Sequence, residues 1–269
     1  MEFRTIVDIA KPEFRIEPCE ELLFVGSCFA DSIGQRFREE GFPVTVNPYG
    51  TMYNPASVLH TIEKYEGKPR TAFITLGTNH VYRLKETGEI VDNCEKRPQA
   101  LFQEEELSVD ACADYLRQAI AVLRKRRPDV RVVMTVSPIR YRKYGYHESQ
   151  VSKATLLLAI EKLLPSDEIA GHCTYFPAYE IVMDELRDYR FYAADMLHPS
   201  AQAVEYIWER LVESYFSPEA KAFLDEWRPL KQALGHKPFN PDSEEYRALM
   251  DKTMLKVAEL RKKYSTFAL

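Results

Sequence analysis

The sequence predicts an α/β fold, a doubly wound parallel sheet flanked by helices and followed by a C-terminal helical hairpin. Three observations predict it. Leu22-Leu23-Phe24-Val25, Thr71–Leu76 and Arg131–Val136 are short and largely apolar, as strands covered on both faces are. The segments between such runs carry the 3.6-residue spacing of amphipathic helices, so strand and helix alternate as crossover connections require. From about Ser217 the apolar runs cease and charged helical periodicity takes over.

Taken in order, Leu22–Val25 hands over at Gly26-Ser27-Cys28-Phe29-Ala30 to a helix near residues 30–40, with Ile33 and Phe37 on its apolar face and Gly41 as its stop. Val44–Val46 is a short second strand ending at Asn47-Pro48-Tyr49-Gly50. A helix near Pro55–Tyr65 leads to the third strand, Thr71–Leu76. Thr87-Gly88 reads as a hairpin turn between Val81–Leu84 and Glu89–Val91, an excursion beyond the main sheet. Leu107–Arg127 is the next long helix, and Arg131–Val136 a strand that runs into Ser137-Pro138. Lys153–Leu164 is a further helix, Thr174–Phe176 the last core strand, and Ala201–Tyr215 a helix entered through His198-Pro199-Ser200. Glu219–Leu234 and Ser243–Lys263, broken between Gly235 and Pro241, form the hairpin. Residues 1–216 are therefore expected to be one α/β domain, and 217–269 an appendage for packing support or an oligomer contact.

A chain of 269 residues with 45% hydrophobic content is long enough for one large core. The net charge of -5 and pI near 5.8 lack the basic excess of phosphate-binding surfaces, so no nucleic-acid partner is expected. Five cysteines, at 19, 28, 94, 112 and 173, are odd in number and show no CxxC spacing, which favours a reducing compartment over a disulfide framework or zinc knuckle. Met1 to Phe14 holds no continuous apolar stretch, so neither signal peptide nor membrane anchor is expected, and the expected location is cytoplasmic. No cofactor and no metal are expected, because His60, His80, His147, His172 and His236 show no ligand spacing.

In an open parallel sheet, ligands bind beyond the carboxyl ends of the strands. Four polar clusters fall there: Gly26-Ser27-Cys28, Asn47 to Gly50, Gly77-Thr78-Asn79-His80, and Asp195-Met196-Leu197-His198. Cys28 lies at a helix start, where unpaired N–H groups and the helix dipole favour the thiolate. Acyl transfer needs a nucleophile, a base, a group to orient the base, and donors for the oxygen that becomes negative. Cys28 would attack, His198 would carry the proton and Asp195 would hold the imidazole tautomer. The Cys28 and Gly50 backbone N–H groups and the Asn79 amide would meet the oxyanion. Ser27 is expected to cap the helix or bond within the turn beside the oxyanion, with the attacking hydroxyl as its alternative role. His80 is expected to line the pocket or to be an ordinary hydrogen-bonded histidine. Arg140-Tyr141-Arg142-Lys143-Tyr144-Gly145-Tyr146-His147 reads as a solvated, mobile loop, or as a binder of a sugar or anionic carrier.

Gly26-Ser27-Cys28-Phe29-Ala30, Gly77-Thr78-Asn79-His80-Val81-Tyr82, Thr135-Val136-Ser137-Pro138 and the block from Tyr189 to Ser200 resemble the GSCFA domain family, which looks like a branch of the SGNH/GDSL hydrolases. The resemblance spans roughly Leu22 to Phe216. It implies that Cys28 takes the place of the hydrolases' serine nucleophile and Ser27 that of the preceding aspartate. Gly50, Asn79 and the Asp195–His198 pair then match the remaining blocks, while His80 stands where the hydrolases often carry Asp. The implied activity is that of an acyl-ester hydrolase or acyltransferase on a small-molecule or glycan ester. The alternatives are a ligand-binding module that kept the fold and lost turnover, and a thiol redox role that lacks a nearby resolving cysteine.

Overall fold

The computed structural model describes residues 4–92, 94 and 97–269; Met1 to Phe3, where the segment read for an export signal begins, lie outside the described residues. The strands are β1 (Leu22–Gly26), β2 (Val44–Val46), β3 (Thr71–Leu76), β4 (His80–Leu84), β5 (Ile90–Val91), β6 (Phe102–Glu106), β7 (Arg131–Val136) and β8 (Cys173–Tyr175). The helices are α1 (Cys28–Glu39), α2 (Pro55–Lys64), α3 (Val109–Arg126), α4 (Gly145–Leu163), α5 (Ala178–Glu180), α6 (Ala201–Tyr215), α7 (Pro218–Gly235) and α8 (Glu244–Lys263).

Strands β2-β1-β3-β7-β8 form one parallel sheet in that order. Because successive side chains of a strand point to opposite faces, β1 sends Leu22 and Phe24 to one core cluster and Leu23 and Val25 to the other. The first cluster holds the apolar faces of α1, α6 and α7, with Phe37, Trp208 and Phe223. The second holds those of α2, α3 and α4, with Ile62, Leu116 and Leu156. Helices on both faces are what the near-continuous apolar strands required. Phe24 and Phe73, directly paired in the β1–β3 register, stack at 4.3 Å between ring centroids. Such a pair adds about 0.5–1.5 kcal/mol beyond the area it buries.

The structure departs from expectation in three places that bear on function. β6 pairs antiparallel with β4, making a three-stranded sheet with β5; its Gln103-Glu104-Glu105-Glu106 run shows no apolar alternation to announce a strand. α4 begins at Gly145 rather than Lys153, so the segment expected to be a mobile loop is a 3₁₀ turn, Arg142–Tyr144, followed by a helical turn. Aromatic stacking holds it there: Tyr144 lies on His80 at 3.9 Å and Arg140 over Tyr146 at 4.2 Å. Finally, α5 runs on into a π-helical turn, Ile181–Leu186, that ends on Arg187 in the left-handed region.

Helices α7 and α8 are present where the charged periodicity expected them, and they share the first cluster. Trp227, Val257, Leu260 and Phe267 share that cluster with Phe42, which Phe223 of α7 meets edge-on at 5.8 Å, and the Trp227 indole N–H donates to the Glu39 carbonyl at 3.2 Å. No described helix is long and apolar enough to cross a membrane.

Candidate active site

The turn from β1 into α1 is built for one backbone path. Gly26 has φ +142, and a Cβ there would stand 2.0 Å from the Thr75 carbonyl oxygen, so only glycine fits. The Ser27 N–H donates to that same oxygen at 2.9 Å. The Ser27 hydroxyl lies 3.1 Å from Thr75 Oγ1 and accepts from the Phe29 N–H at 3.3 Å, with the residue 1% exposed. Ser27 is thus the N-cap of α1, its oxygen turned into the sheet. Cys28, the first residue of the helix, is half-buried, and its Sγ meets the Tyr53 hydroxyl at 3.5 Å.

The Asp195–His198 loop is closed on itself. Tyr192 and Pro199 form an antiparallel bridge, and the Ala193 N–H donates to the His198 carbonyl at 2.7 Å. Arg140, just beyond β7, donates its N–H to Leu197 O at 3.1 Å and its guanidinium to Met196 O at 3.2 Å. Asp195 Oδ1 accepts the N–H groups of Leu197 (2.9 Å) and His198 (3.0 Å), and Oδ2 lies 2.6 Å from His198 Nδ1. The backbone donors of His198 and Leu197, then the imidazole, hold the Asp195 carboxyl down at about 2. An ionised carboxylate only accepts, so Nδ1 carries the proton and Nε2 is left as the basic nitrogen. Both side chains are 44% exposed. Among the described residues no hydrogen bond joins His198 to Cys28.

The expected oxyanion donors are partly committed elsewhere. The Gly50 N–H donates to the Asn47 carbonyl at 2.9 Å, which holds the turn after β2. It is Asn47 that ties this cluster to the first, its Oδ1 accepting from the Gly26 N–H at 2.9 Å and its Nδ2 donating to Asp31 at 2.8 Å. Asn79 is 3% exposed and donates one amide hydrogen to the Leu107 carbonyl at 2.8 Å; its Oδ1 is buried with no partner among the described residues. His80 is packed flat against Tyr144, and burial pushes its pKa down.

Two residues escaped the sequence reading. One is Tyr53. The other is Lys153, only 2% exposed, whose Nζ donates to Gly77 O and Ser137 O, both at 2.7 Å, across the ends of β3 and β7. Neighbouring Ser152 bonds Thr78 Oγ1 (2.9 Å) and the Asn79 N–H (3.0 Å), and Ser149 accepts from the Tyr141 N–H at 3.1 Å. Burial brings the Lys153 ammonium down from 10.5 to about 7. The available signal was Lys153 at helical spacing from Leu156 and Ile160, on the face of α4 that is buried. Beside Arg140 a cavity of about 340 Å³ opens, lined by Tyr146, Lys153, Tyr179, Met183 and Tyr192. Among the described residues no three His, Cys, Asp or Glu side chains gather where a cation would bind.

The GSCFA family profile matches residues 21–72 and 67–211, and the profile of the GSCFA domain protein, C-terminal domain, matches 227–269. No curated protein matches the chain in sequence. Among solved structures, a Parabacteroides merdae protein named as a GDSL-like lipase aligns over 76% of this chain and 98% of its own, at 12% identity and TM-score 0.50. A carbohydrate esterase family 3 protein from Talaromyces cellulolyticus aligns over the same shares at 10% identity and TM-score 0.41. An acetyl esterase mutant solved with acetate does so at 11% and 0.45. At these identities the likeness is one of fold, that of the SGNH/GDSL hydrolases.

Proposed function

The chain belongs to the GSCFA family, and from that premise we propose that it transfers acyl groups from a small-molecule or carbohydrate ester, to water or to a sugar hydroxyl, through Cys28, His198 and Asp195. The observation that carries the proposal is the Asp195–His198 contact of 2.6 Å. It leaves Nε2 free as a base on a loop of the same sheet end that carries a thiol at a helix N-terminus. In this reading Nε2 takes the Cys28 proton and the sulfur attacks the ester carbonyl carbon. As the S–C bond forms, the carbonyl π pair moves to oxygen; when it returns, the C–O bond breaks and the alkoxide leaves with the proton from His198. Water or a sugar hydroxyl, deprotonated by His198, then attacks the thioester, the S–C bond breaks, and the sulfur leaves with the proton that His198 holds. The aromatic residues Tyr141, Tyr144 and Tyr146 after β7 support a ring-bearing acceptor.

The test is to assay wild type, Cys28→Ala, Cys28→Ser, Ser27→Ala and His198→Ala on short activated acyl esters, with intact mass to detect an acyl adduct. Loss of turnover and adduct in Cys28→Ala, with both kept in Ser27→Ala, is the expected outcome; equal rates in wild type and both Cys28 variants would refute it. A second reading, a ligand-binding module without turnover, is favoured by the thiol's bond to Tyr53 rather than to His198. It predicts no adduct in any variant, even when glycan acceptors are supplied.

A further inference from the structure

We propose that Tyr53 is a catalytic residue: its hydroxyl donates a hydrogen bond to the Cys28 sulfur in the resting site, and to the carbonyl oxygen once the sulfur has attacked. The proposal rests on the acyl-transfer reading and adds to it a donor that the family motifs do not contain.

Tyr53 is fixed from three sides. Its carbonyl oxygen accepts the N–H groups of both Gly77 and Thr78 at 2.8 Å, and the preceding Met52 N–H donates to Gly26 O at 2.8 Å. The residue is therefore laced between the first and third motif blocks. The next residue, Asn54, caps α2 by accepting from the Ser57 N–H at 2.9 Å, which sets the direction of the chain beyond it. The ring is held by a row of aromatics: Tyr53 meets Tyr141 edge-on at 5.6 Å, Tyr141 lies parallel to Tyr144 at 5.8 Å, and Tyr144 stacks on His80. A hydroxyl on a ring so held is pre-organised.

The donor direction follows from the chemistry of the pair. A thiol is a weak donor and a thiolate an effective acceptor, whereas a phenol is a good donor. Burial first, then the contact with Cys28, pushes the Tyr53 hydroxyl's pKa up, so the hydroxyl keeps its proton near neutrality. The other expected donors are short: the Gly50 N–H is spent on Asn47, and Asn79 has given one amide hydrogen to Leu107. When the sulfur attacks, the S–C bond forms and the carbonyl π pair moves onto oxygen. The negative charge then sits on the oxygen two bonds from the sulfur, and the Tyr53 O–H turns from sulfur to that oxygen without losing its proton.

The contact is tested without any substrate by alkylating the folded protein with iodoacetamide near neutral pH and following the Cys28 peptide by mass spectrometry. Wild type and Tyr53→Phe are compared, with Cys94 as internal control and the thermal midpoint as the check on folding. Losing a charge-assisted hydrogen bond costs the thiolate about tenfold in population, and its higher intrinsic nucleophilicity returns about threefold of that. The expected result is Cys28 alkylation about threefold slower in Tyr53→Phe, Cys94 unchanged, and acyl-enzyme formation from an activated ester about tenfold or more slower. Alkylation as fast as wild type, or faster, overturns the proposal. A wild type that turns over no ester, yet whose Cys28 reactivity still depends on Tyr53, overturns the acyl-transfer reading and upholds the hydroxyl as the donor to sulfur.

Discussion

Replacing Lys153 by methionine keeps the length of the side chain and removes its two hydrogen bonds to Gly77 O and Ser137 O. It also removes a titration. The unfolded chain holds the Lys153 proton up to the ordinary value of 10.5, while burial in the folded state lets it go at about 7. Between those values the unfolded state binds more protons, so this group's contribution to stability rises with pH. It is flat below about 7, where both states are protonated, and flat again above 10.5. Integrated from about pH 6 to about pH 9, the rise is about 3 kcal/mol. Methionine has no such term and leaves two buried carbonyls unpaired, at about 1–3 kcal/mol each. The variant is therefore expected to be the less stable protein at about pH 9, with the gap narrowing by about 3 kcal/mol toward about pH 6. Urea unfolding followed by far-UV circular dichroism measures this. With a slope near 3 kcal/mol per molar, the difference between the two midpoints should change by about 1 M across the range. All other titrating groups are common to both proteins and cancel. A midpoint difference that stays constant over that range would refute the reasoning.

Gly26→Ala is expected to destabilise by about 4 kcal/mol or more, because both its φ and the 2.0 Å approach to Thr75 O exclude a Cβ; denaturant unfolding or loss of soluble protein reads it out. Asp195→Asn should lower turnover by about 10³-fold at neutral pH, since an amide at that position no longer dictates the His198 tautomer. As backbone donors keep Asp195 ionised down to about 2, the acid limb of the wild-type pH–rate profile is expected not to track Asp195 above that value. Ser200→Ala removes the cap that accepts from the Ala203 N–H and should cost about 1 kcal/mol in thermal or urea unfolding.

The main sheet was legible because β1, β3 and β7 are apolar almost end to end, a pattern that only two-sided burial explains. β6 was not, since its fate depends on the backbone of β4 rather than on its own glutamates. The start of α4 was hidden for a similar reason: Tyr144 and Tyr146 read as polar-loop aromatics until His80 and Arg140 are known to lie against them. At the site, Ser27 as a cap follows from residue type and place. Spacing alone cannot reveal that Asn47 rather than Gly50 binds the first block, because Asn47 works through a side-chain oxygen directed at a residue 21 positions away. Tyr53 and Lys153 carry no motif; they become visible only as partners of Cys28, Gly77 and Ser137.

The chain has two tryptophans, and both stand at the same end of the molecule. Trp208 meets Phe37 edge-on at 4.8 Å, and Trp227 reaches the last turn of α1 through Glu39 O and packs on Phe267. The aromatic row beside Cys28 contains tyrosines and a histidine only. Intrinsic emission excited in the tryptophan band is therefore a native reporter on how α6, through Trp208, and α7, through Trp227, seat against α1. The sixteen tyrosines are spread over the fold, Tyr264 among them packing on Phe223, so a near-ultraviolet tyrosine signal reports the fold as a whole. Following the two bands through one unfolding curve reads separately whether residues 217–269 come away before the sheet does.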